Sequence, residues 1–224
     1  MKYALAFGCI GLGLVASGII NPPLRLLLFW AGVSFFWVGS GYAGLGAGVL
    51  GKHPGDGRTR WPFKGLLLPY FLLTWSTWHL IRALSKEAPV DQVDERLSIG
   101  RRLLAGEVAG RFDHYVDLTA EFEDPRQIRE STAYRCLPIL DGEIPRERSL
   151  RPLLDEVGTG TVYVHCAQGH GRTGLFAIAL LMHRGVVTDV REGLKLLQRH
   201  RQRLDLNRRQ LEFLEREFAA SSSG

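Results

Sequence analysis

The sequence is poor in cysteine, with three residues in 224, Cys9, Cys136 and Cys166. They are widely spaced and form no Cys-x-x-Cys pair. This scarcity excludes a disulfide-stapled scaffold and argues against a structural zinc site. The sequence also lacks the Gly-Lys-Ser/Thr ending of a nucleotide-binding P-loop. We therefore expect no metal and no cofactor.

Acidic residues are scarce in the first part of the chain. Residues 1–89 contain eight Lys and Arg against two acids, whereas the remainder contains 20 Lys and Arg against 21 acids. The formal net charge of +5 therefore comes from the N-terminal part. The remainder lacks the basic surface of a nucleic-acid-binding domain, so no nucleic-acid partner is expected.

Charged residues are absent from two long apolar runs, at about residues 3–20 and 26–50. Each run is long enough to cross a bilayer of about 30 Å. A third apolar segment, 65–81, is short for a span, and its Trp and Tyr content suits the membrane interface. We predict that residues 1–84 form a membrane anchor of two or three transmembrane or interfacial helices. A cleaved signal peptide at the N-terminus is the less favoured alternative.

Residues 162–174 combine an apolar strand, a glycine-bearing loop and the start of a helix. Cys166 opens the loop and Arg172 closes it, and the residues between them are Ala167, Gln168, Gly169, His170 and Gly171. Backbone N–H groups of such a loop converge on one point and favour an anion there. Arg172 can hold two phosphate oxygens, and the positive field should lower the pKa of the Cys166 thiol. The stretch predicts a thiolate nucleophile beneath a phosphate-binding loop.

The pattern His-Cys, five residues, Arg-Thr resembles the signature loop of the protein tyrosine phosphatase superfamily. The surrounding sequence, over roughly residues 95–218, resembles the dual-specificity branch. The resemblance implies that Cys166 attacks phosphorus to form a cysteinyl-phosphate while Arg172 holds the equatorial oxygens. It also implies that the Thr173 hydroxyl stabilises the thiolate as a leaving group and that His165 braces the loop. The alternative is a structural cysteine that happens to precede a glycine-rich turn.

Cleavage of a phosphate ester also needs a general acid. The resemblance implies an aspartate on a loop upstream of the signature, and Asp141 occupies that place after an apolar strand. Glu143 is the reserve candidate, and an ordinary turn is the alternative for Asp141, since Asp-Gly is common in turns. Cys136 could form a protective disulfide with Cys166, although a core thiol is the favoured interpretation.

The remaining chain alternates short apolar strands with helical segments. We predict strands at 96–104, 115–119, 134–140 and 161–165, helices at 148–157, 172–183, 188–198 and 207–218, and a loop or short helix at 121–130. The alternation predicts an α/β sandwich with a central, mostly parallel sheet and the loop at the carboxyl end of a strand. The resemblance implies a cysteine-phosphatase-like sandwich. We assign a linker to 85–95, the catalytic domain to 96–219 and a disordered tail to 220–224.

Charge and thiol chemistry together predict the orientation. A reactive thiolate persists best in a reducing compartment, and basic loops such as 51–64 favour the cytoplasmic side. A hairpin of two spans with the third segment in the interface satisfies both conditions. Three spans with the N-terminus outside also place the catalytic domain in the cytoplasm. Both arrangements stay open at this point.

The expected function is that of a membrane-anchored cysteine phosphatase acting on phosphotyrosine or phosphoserine/threonine in proteins. A phospholipid phosphomonoester, phosphatidylglycerophosphate-like or a phosphoinositide, is the alternative substrate. The anchor favours the lipid, whereas the absence of Lys from the loop slightly favours the protein. An inactive phosphate-binding module is the alternative from another class.

Overall fold

A computed structural model describes residues 2–108, 112–146 and 149–219, and the chain divides into two compact units. The first unit comprises residues 1–53, 58–84 and 120–122, and the second comprises 54–57, 85–119 and 123–224. The predicted tail at 220–224 lies outside the described residues.

The first unit is helical. Its helices are α1 (Lys2–Ile20), α2 (Arg25–Ser40), α3 (Trp61–Leu66) and α4 (Leu68–Leu84), with 3-10 turns at Pro22–Leu24 and Ala47–Leu50 and a π-helical turn at Gly41–Leu45. By length and composition alone, the segments Lys2–Ile20 and Pro22–Leu45 could each cross a membrane. The third apolar segment forms most of α4, which has 17 residues.

The second apolar run is interrupted earlier than its composition predicts. Gly44 has a φ of +134° and Gly46 a φ of +74°, so the backbone leaves the right-handed helix before residue 50.

Glycines also allow α1 and α2 to pack closely. A Cβ at Gly32 would lie 2.7 Å from the Gly11 carbonyl oxygen, so only a small residue fits between these helices.

The second unit contains a five-stranded sheet. Its strands are β1 (Val90–Gln92), β2 (Leu97–Arg101), β3 (His114–Thr119), β4 (Tyr134–Ile139) and β5 (Val162–Cys166), in the order β1-β2-β5-β3-β4. β1 pairs with β2 antiparallel, and the other pairs are parallel. This confirms the predicted mostly parallel sheet. Pro138 lies on the edge strand β4, where a residue without an N–H is tolerated.

Part of the segment predicted as a linker is an edge strand. Val90 pairs with Gly100, and Asp91 pairs with Ile99. The polar composition and Pro89 hide this strand in the sequence, because its pairing partner lies beyond a turn and supplies most of the apolar side chains. The segment 85–95 is therefore partly built into the sheet of the second unit.

Helices of the second unit are α5 (Arg126–Arg129), α6 (Leu150–Val157), α7 (Gly171–His183), α8 (Val190–His200) and α9 (Arg208–Ala219). Asn207 caps α9 as an acceptor for the Gln210 amide, at 3.1 Å. At α8 the cap is Asp189, at 2.8 Å from the Glu192 amide, so the helix begins two residues after Thr188, where the predicted helix 188–198 began. The Thr188 amide instead donates to the Glu192 carboxylate.

Strand β5 is buried on both faces. Val162 and Val164 pack in the core that contains α7, whereas Tyr163 faces a second cluster with Tyr115 and Leu103. This alternation follows from the two-residue period of a strand. Since both faces are packed, the end of β5 is held in one position, and that end is Cys166.

Candidate active site

The loop between β5 and α7 is folded as a cradle over Cys166. Gly169 has a φ of +78°, and a Cβ there would lie 2.4 Å from the backbone carbonyl of Gly100 on β2, so only glycine fits. The Gly169 amide donates to Cys166 Sγ across 3.3 Å. An inward N–H is what an anion-binding loop requires.

The other predicted loop residues lie in the same segment. Ala167 is buried, and its carbonyl oxygen accepts from the Arg102 amide at 3.4 Å. The Gln168 carbonyl accepts from Arg201 Nη2 at 2.9 Å. Gly171 is the first residue of α7, so the loop leads directly into a helix N-terminus.

The Cys166 side chain is buried. Burial raises the pKa of its thiol, but the Arg172 guanidinium and the Thr173 hydroxyl and amide outweigh burial, and the pKa lies below its usual value. Within the described residues the Thr173 hydroxyl has no hydrogen bond of standard geometry, so it is available to the sulfur. Arg172 and Thr173 therefore stabilise the thiolate form of Cys166 relative to an unpaired buried thiol.

Arg172 is 2% exposed and closes the cradle. Its Nη1 donates to the Ile139 carbonyl oxygen at 2.9 Å, at the end of β4. Its Nη2 lies 3.2 Å from Asp141 Oδ1. Arg172, the predicted phosphate-binding residue, and Asp141, the predicted general acid, therefore lie in contact.

The loop that carries Asp141 is held by α9. Gly142 has a φ of +71°, and its carbonyl oxygen accepts from Asn207 Nδ2 at 2.8 Å. The Glu143 carboxylate forms an ion pair with Arg209. The Asp141 side chain is 70% exposed and directed at Arg172, whereas the Glu143 carboxylate is directed at Arg209.

A known family matches the part of the chain that contains this site. Residues 75–219 match the family described as PTP-SAK: Swiss Army Knife protein, DSP-PTPase phosphatase domain. The chain belongs to this family. It therefore contains a cysteine-based phosphatase domain of the dual-specificity type. No curated protein sequence matches the chain significantly.

Solved structures resemble this PTP-SAK domain. The active form of Tk-PTP is 26% identical, with a TM-score of 0.50, over 57% of this chain and 95% of Tk-PTP. A mouse putative dual specificity phosphatase is 21% identical, with a TM-score of 0.50, over 62% of this chain and 95% of the mouse protein. Human DUSP28 is 19% identical, with a TM-score of 0.50, over 61% of this chain and 97% of DUSP28. The mouse and human proteins show a common fold.

His165 of the PTP-SAK domain has a buried partner that the sequence did not reveal. Its Nε2 lies 2.8 Å from Asp124 Oδ2, and both side chains are almost fully buried. Arg102 Nε lies 3.7 Å from the other oxygen of Asp124, and the Arg102 amide donates to the Cys166 carbonyl at 2.8 Å. Two residues that contact or adjoin Cys166, His165 and Arg102, therefore both face the Asp124 carboxylate.

His170 lies in the loop and is partly buried. Its Nε2 is 2.9 Å from Glu87 Oε2, a residue of the segment predicted as a linker. Burial lowers the pKa of His170, Glu87 opposes that shift, and Arg201 and Arg203 add to it, so the pKa lies below its usual value. A carboxylate thus faces the rim of the PTP-SAK loop.

Cys136 is not placed to form a disulfide with Cys166. Asp117 on β3 pairs with Cys136 on one side and with His165 on the other. Two strand spacings of about 4.8 Å place Cys136 about 10 Å from β5, beyond the Cα separation of about 7 Å that a disulfide tolerates. Cys136 packs beside an apolar cluster as a core thiol.

Asp117, Asp124 and His165 form the one group in the described part of the chain whose donor atoms could surround a cation. Asp117 is already engaged, because it accepts from the Tyr134 hydroxyl at 2.7 Å and from the Thr119 amide at 2.8 Å. Asp124 and His165 bind each other. These contacts fit a buried hydrogen-bond network better than an open metal site.

Proposed function

We propose that this chain is a membrane-anchored, cysteine-dependent phosphatase that hydrolyses phosphotyrosine or phosphoserine/threonine in proteins. The observation that carries this proposal is the position of Cys166 beneath a loop that ends in Arg172, with Asp141 at 3.2 Å from that guanidinium. An inactive phosphate-binding module would need neither a thiolate nor a carboxylate there. The active enzyme is therefore favoured over that alternative.

The two chemical steps follow from these groups. The Cys166 thiolate attacks phosphorus, the P–S bond forms, the P–O ester bond breaks, and protonated Asp141 gives its proton to the leaving oxygen. Water then attacks the cysteinyl-phosphate while the Asp141 carboxylate accepts a proton. The P–S bond breaks, phosphate leaves and the thiolate returns. Arg172 and the loop amides hold the phosphoryl oxygens in both steps.

Charge at the loop supports a substrate with a single phosphate. The loop contains no Lys, and the Glu87 carboxylate lies 2.9 Å from His170 at its rim. Arg201 Nη2 lies 3.6 Å from that carboxylate and offsets its charge, so the support comes from the loop, which has no Lys to hold a second phosphate group. This favours a phosphoprotein over a polyphosphoinositide.

A phospholipid with one phosphomonoester is the second candidate substrate. Its support is the pair of apolar segments Lys2–Ile20 and Pro22–Leu45. Many of their large apolar side chains are exposed, for example Leu5 at 66% and Leu26 at 85%. Such surfaces are unfavourable in water and suit lipid. An anchored enzyme would meet membrane-borne substrates at a high local concentration.

Membrane anchoring with a cytoplasmic catalytic domain belongs to the same proposal. Basic residues of loop 51–64 and the reactive thiol favour that side of the membrane. Labelling of introduced cysteines with a membrane-impermeant reagent, in intact and in opened cells, would test the orientation. Labelling of loop 51–64 in intact cells would contradict it.

The experiment on function uses the full chain in detergent. Phosphotyrosine and phosphoserine peptides are compared with a phosphatidylglycerophosphate-like monoester on one preparation. Cys166→Ser should abolish turnover but keep phosphate affinity, because the alcohol is not ionised near neutral pH. Turnover by the Ser variant at the wild-type rate would refute the cysteinyl-phosphate mechanism. Exclusive turnover of the lipid would select the second candidate.

A further inference from the structure

One peptide unit of the loop is held at both ends. The Gln168 carbonyl oxygen accepts from Arg201 Nη2 at 2.9 Å, and the Gly169 amide donates to Cys166 Sγ at 3.3 Å. These two groups belong to the same peptide. The described part of the chain contains no cis peptide bond, so this C=O and N–H point in opposite directions. Because Arg201 holds the Gln168 carbonyl oxygen on the side away from Cys166, the Gly169 N–H points towards Cys166.

Gly169 alone does not enforce this orientation. Its φ of +78° and its contact with the Gly100 backbone exclude a side chain, but glycine has little intrinsic preference between alternative backbone conformations. A rotated 168–169 peptide would present a carbonyl oxygen to the phosphate instead of a donor. The loop thus needs an external contact that selects one orientation, and Arg201 makes that contact.

Arg201 is itself held from several directions. It is 2% exposed and lies at the C-terminal end of α8, where its amide donates to the Leu197 carbonyl at 2.9 Å. Its Nη1 donates to Asp91 Oδ2 at 2.6 Å and to the Ala88 carbonyl at 3.1 Å. A buried guanidinium with these partners has little freedom to turn away from Gln168.

We propose that Arg201 is a positioning residue that orients the 168–169 peptide, so that the Gly169 N–H faces the thiolate and the phosphate. Asp91 on β1 holds Arg201 in place for this task. The inference rests on the proposed function, because the Gly169 N–H needs this orientation only if the loop binds a phosphate group. It also gives the segment before β2 a part in phosphate binding, although that segment contains none of the predicted site residues.

The test measures oxyanion binding without turnover. Inorganic phosphate is titrated into the full chain carrying Cys166→Ser, with and without Arg201→Gln, by calorimetry. Loss of a charge-assisted contact should weaken phosphate binding at least about tenfold. Arg201→Lys, which keeps one charged donor, should recover part of the affinity. Arg199→Gln, an exposed neighbour on α8, is the matched control and should bind phosphate like its parent.

A second readout follows the nucleophile itself. In the chain with Cys166 intact, the rate of iodoacetamide alkylation is measured against pH, and Arg201→Gln should move its midpoint upward. Asp91→Asn should shift both readouts in the same direction by a smaller factor. It should add nothing in the Arg201→Gln background if Asp91 acts through Arg201.

Each outcome decides for or against the role of Arg201. A folded Arg201→Gln protein with unchanged phosphate affinity and an unchanged alkylation profile overturns the inference. If Arg201→Gln fails to fold, Asp91→Asn and Arg201→Lys decide, and unchanged phosphate affinity in both overturns it as well. If Arg201→Gln loses phosphate affinity while the wild-type chain hydrolyses no phosphomonoester, the proposed function fails and the orientation of the peptide by Arg201 stands.

Discussion

Asp124 Oδ2 lies 2.8 Å from His165 Nε2 in a buried carboxylate–imidazole pair, and His165 directly precedes Cys166 in the chain. The contact fixes the orientation of the imidazole ring beside the loop. We expect Asp124→Asn to lower kcat about tenfold, because a charge-assisted bond that aligns the loop is replaced by a neutral one. Steady-state hydrolysis of an aryl phosphate gives this value.

A matched control for Asp124→Asn exists in the same unit. Asp155 and His183 form a carboxylate–histidine pair at 3.5 Å, but Asp155 is 70% exposed. Asp155→Asn should leave kcat unchanged, since exposed pairs contribute little. If Asp124→Asn lowers kcat equally with His165 intact and with His165→Asn, Asp124 does not act through His165.

Arg172 supplies both a charge and a planar fork, and two variants separate them. Arg172→Lys keeps the charge but loses bidentate contact, so kcat/KM should fall at least about 100-fold while the pH midpoint of Cys166 alkylation moves little. Arg172→Gln also removes the charge that opposes burial, so the pKa of the Cys166 thiol should rise and less thiolate should be present at neutral pH. Near-normal kcat/KM for Arg172→Lys would contradict the assignment of the phosphate fork.

The two carboxylates of the 141–143 turn should behave differently. Asp141→Asn should lower kcat by about 100-fold or more for poor leaving groups, and it should flatten the basic limb of the pH–rate profile. Glu143→Gln removes the ion pair with Arg209 and should change kcat and the pH–rate profile only slightly. The reverse pattern would identify Glu143 as the acid.

A fragment of residues 85–224 should test the N-terminal helices. It keeps Ala88 and Asp91, which contact Arg201, and so it should hydrolyse a small aryl phosphate about as fast as the full chain. On a phosphomonoester in anionic vesicles it should be much slower, because basic residues next to a membrane contribute about 1 kcal/mol each to binding. If the fragment and the full chain hydrolyse the vesicle substrate at equal rates at low salt, the N-terminal helices play no part in substrate selection.

Sequence patterns were most informative for residues that lie close together along the chain. Cys166 and Arg172 lie in one strand–loop–helix segment, and local glycine and strand patterns were sufficient to place them. Asp141 came from the order of motifs in the family, and the structure puts it 3.2 Å from Arg172. The buried central helix α7 was predicted from its run of apolar residues between Leu175 and Met182.

The missed residues are all partners brought together by long-range folding. Asp124 is 41 residues from His165, Glu87 is 83 residues from His170, and Arg201 is 33 residues from Gln168. Each looks like an ordinary charged residue of a loop or helix end in the sequence. Only the sheet order, which places β5 between β2 and β3, and the antiparallel addition of β1 bring such groups to the loop.

The place of β3 between Cys136 and β5 has a consequence for oxidative damage. A peroxide that converts the Cys166 thiolate to a sulfenic acid meets no second thiol within bonding reach in the described part of the second unit. Recovery must then come from a small thiol or from attack by a backbone nitrogen. Without either, further peroxide oxidises the sulfur to the irreversible sulfinic acid, so the lifetime of the reduced Cys166 side chain is set by the thiol pool of its compartment.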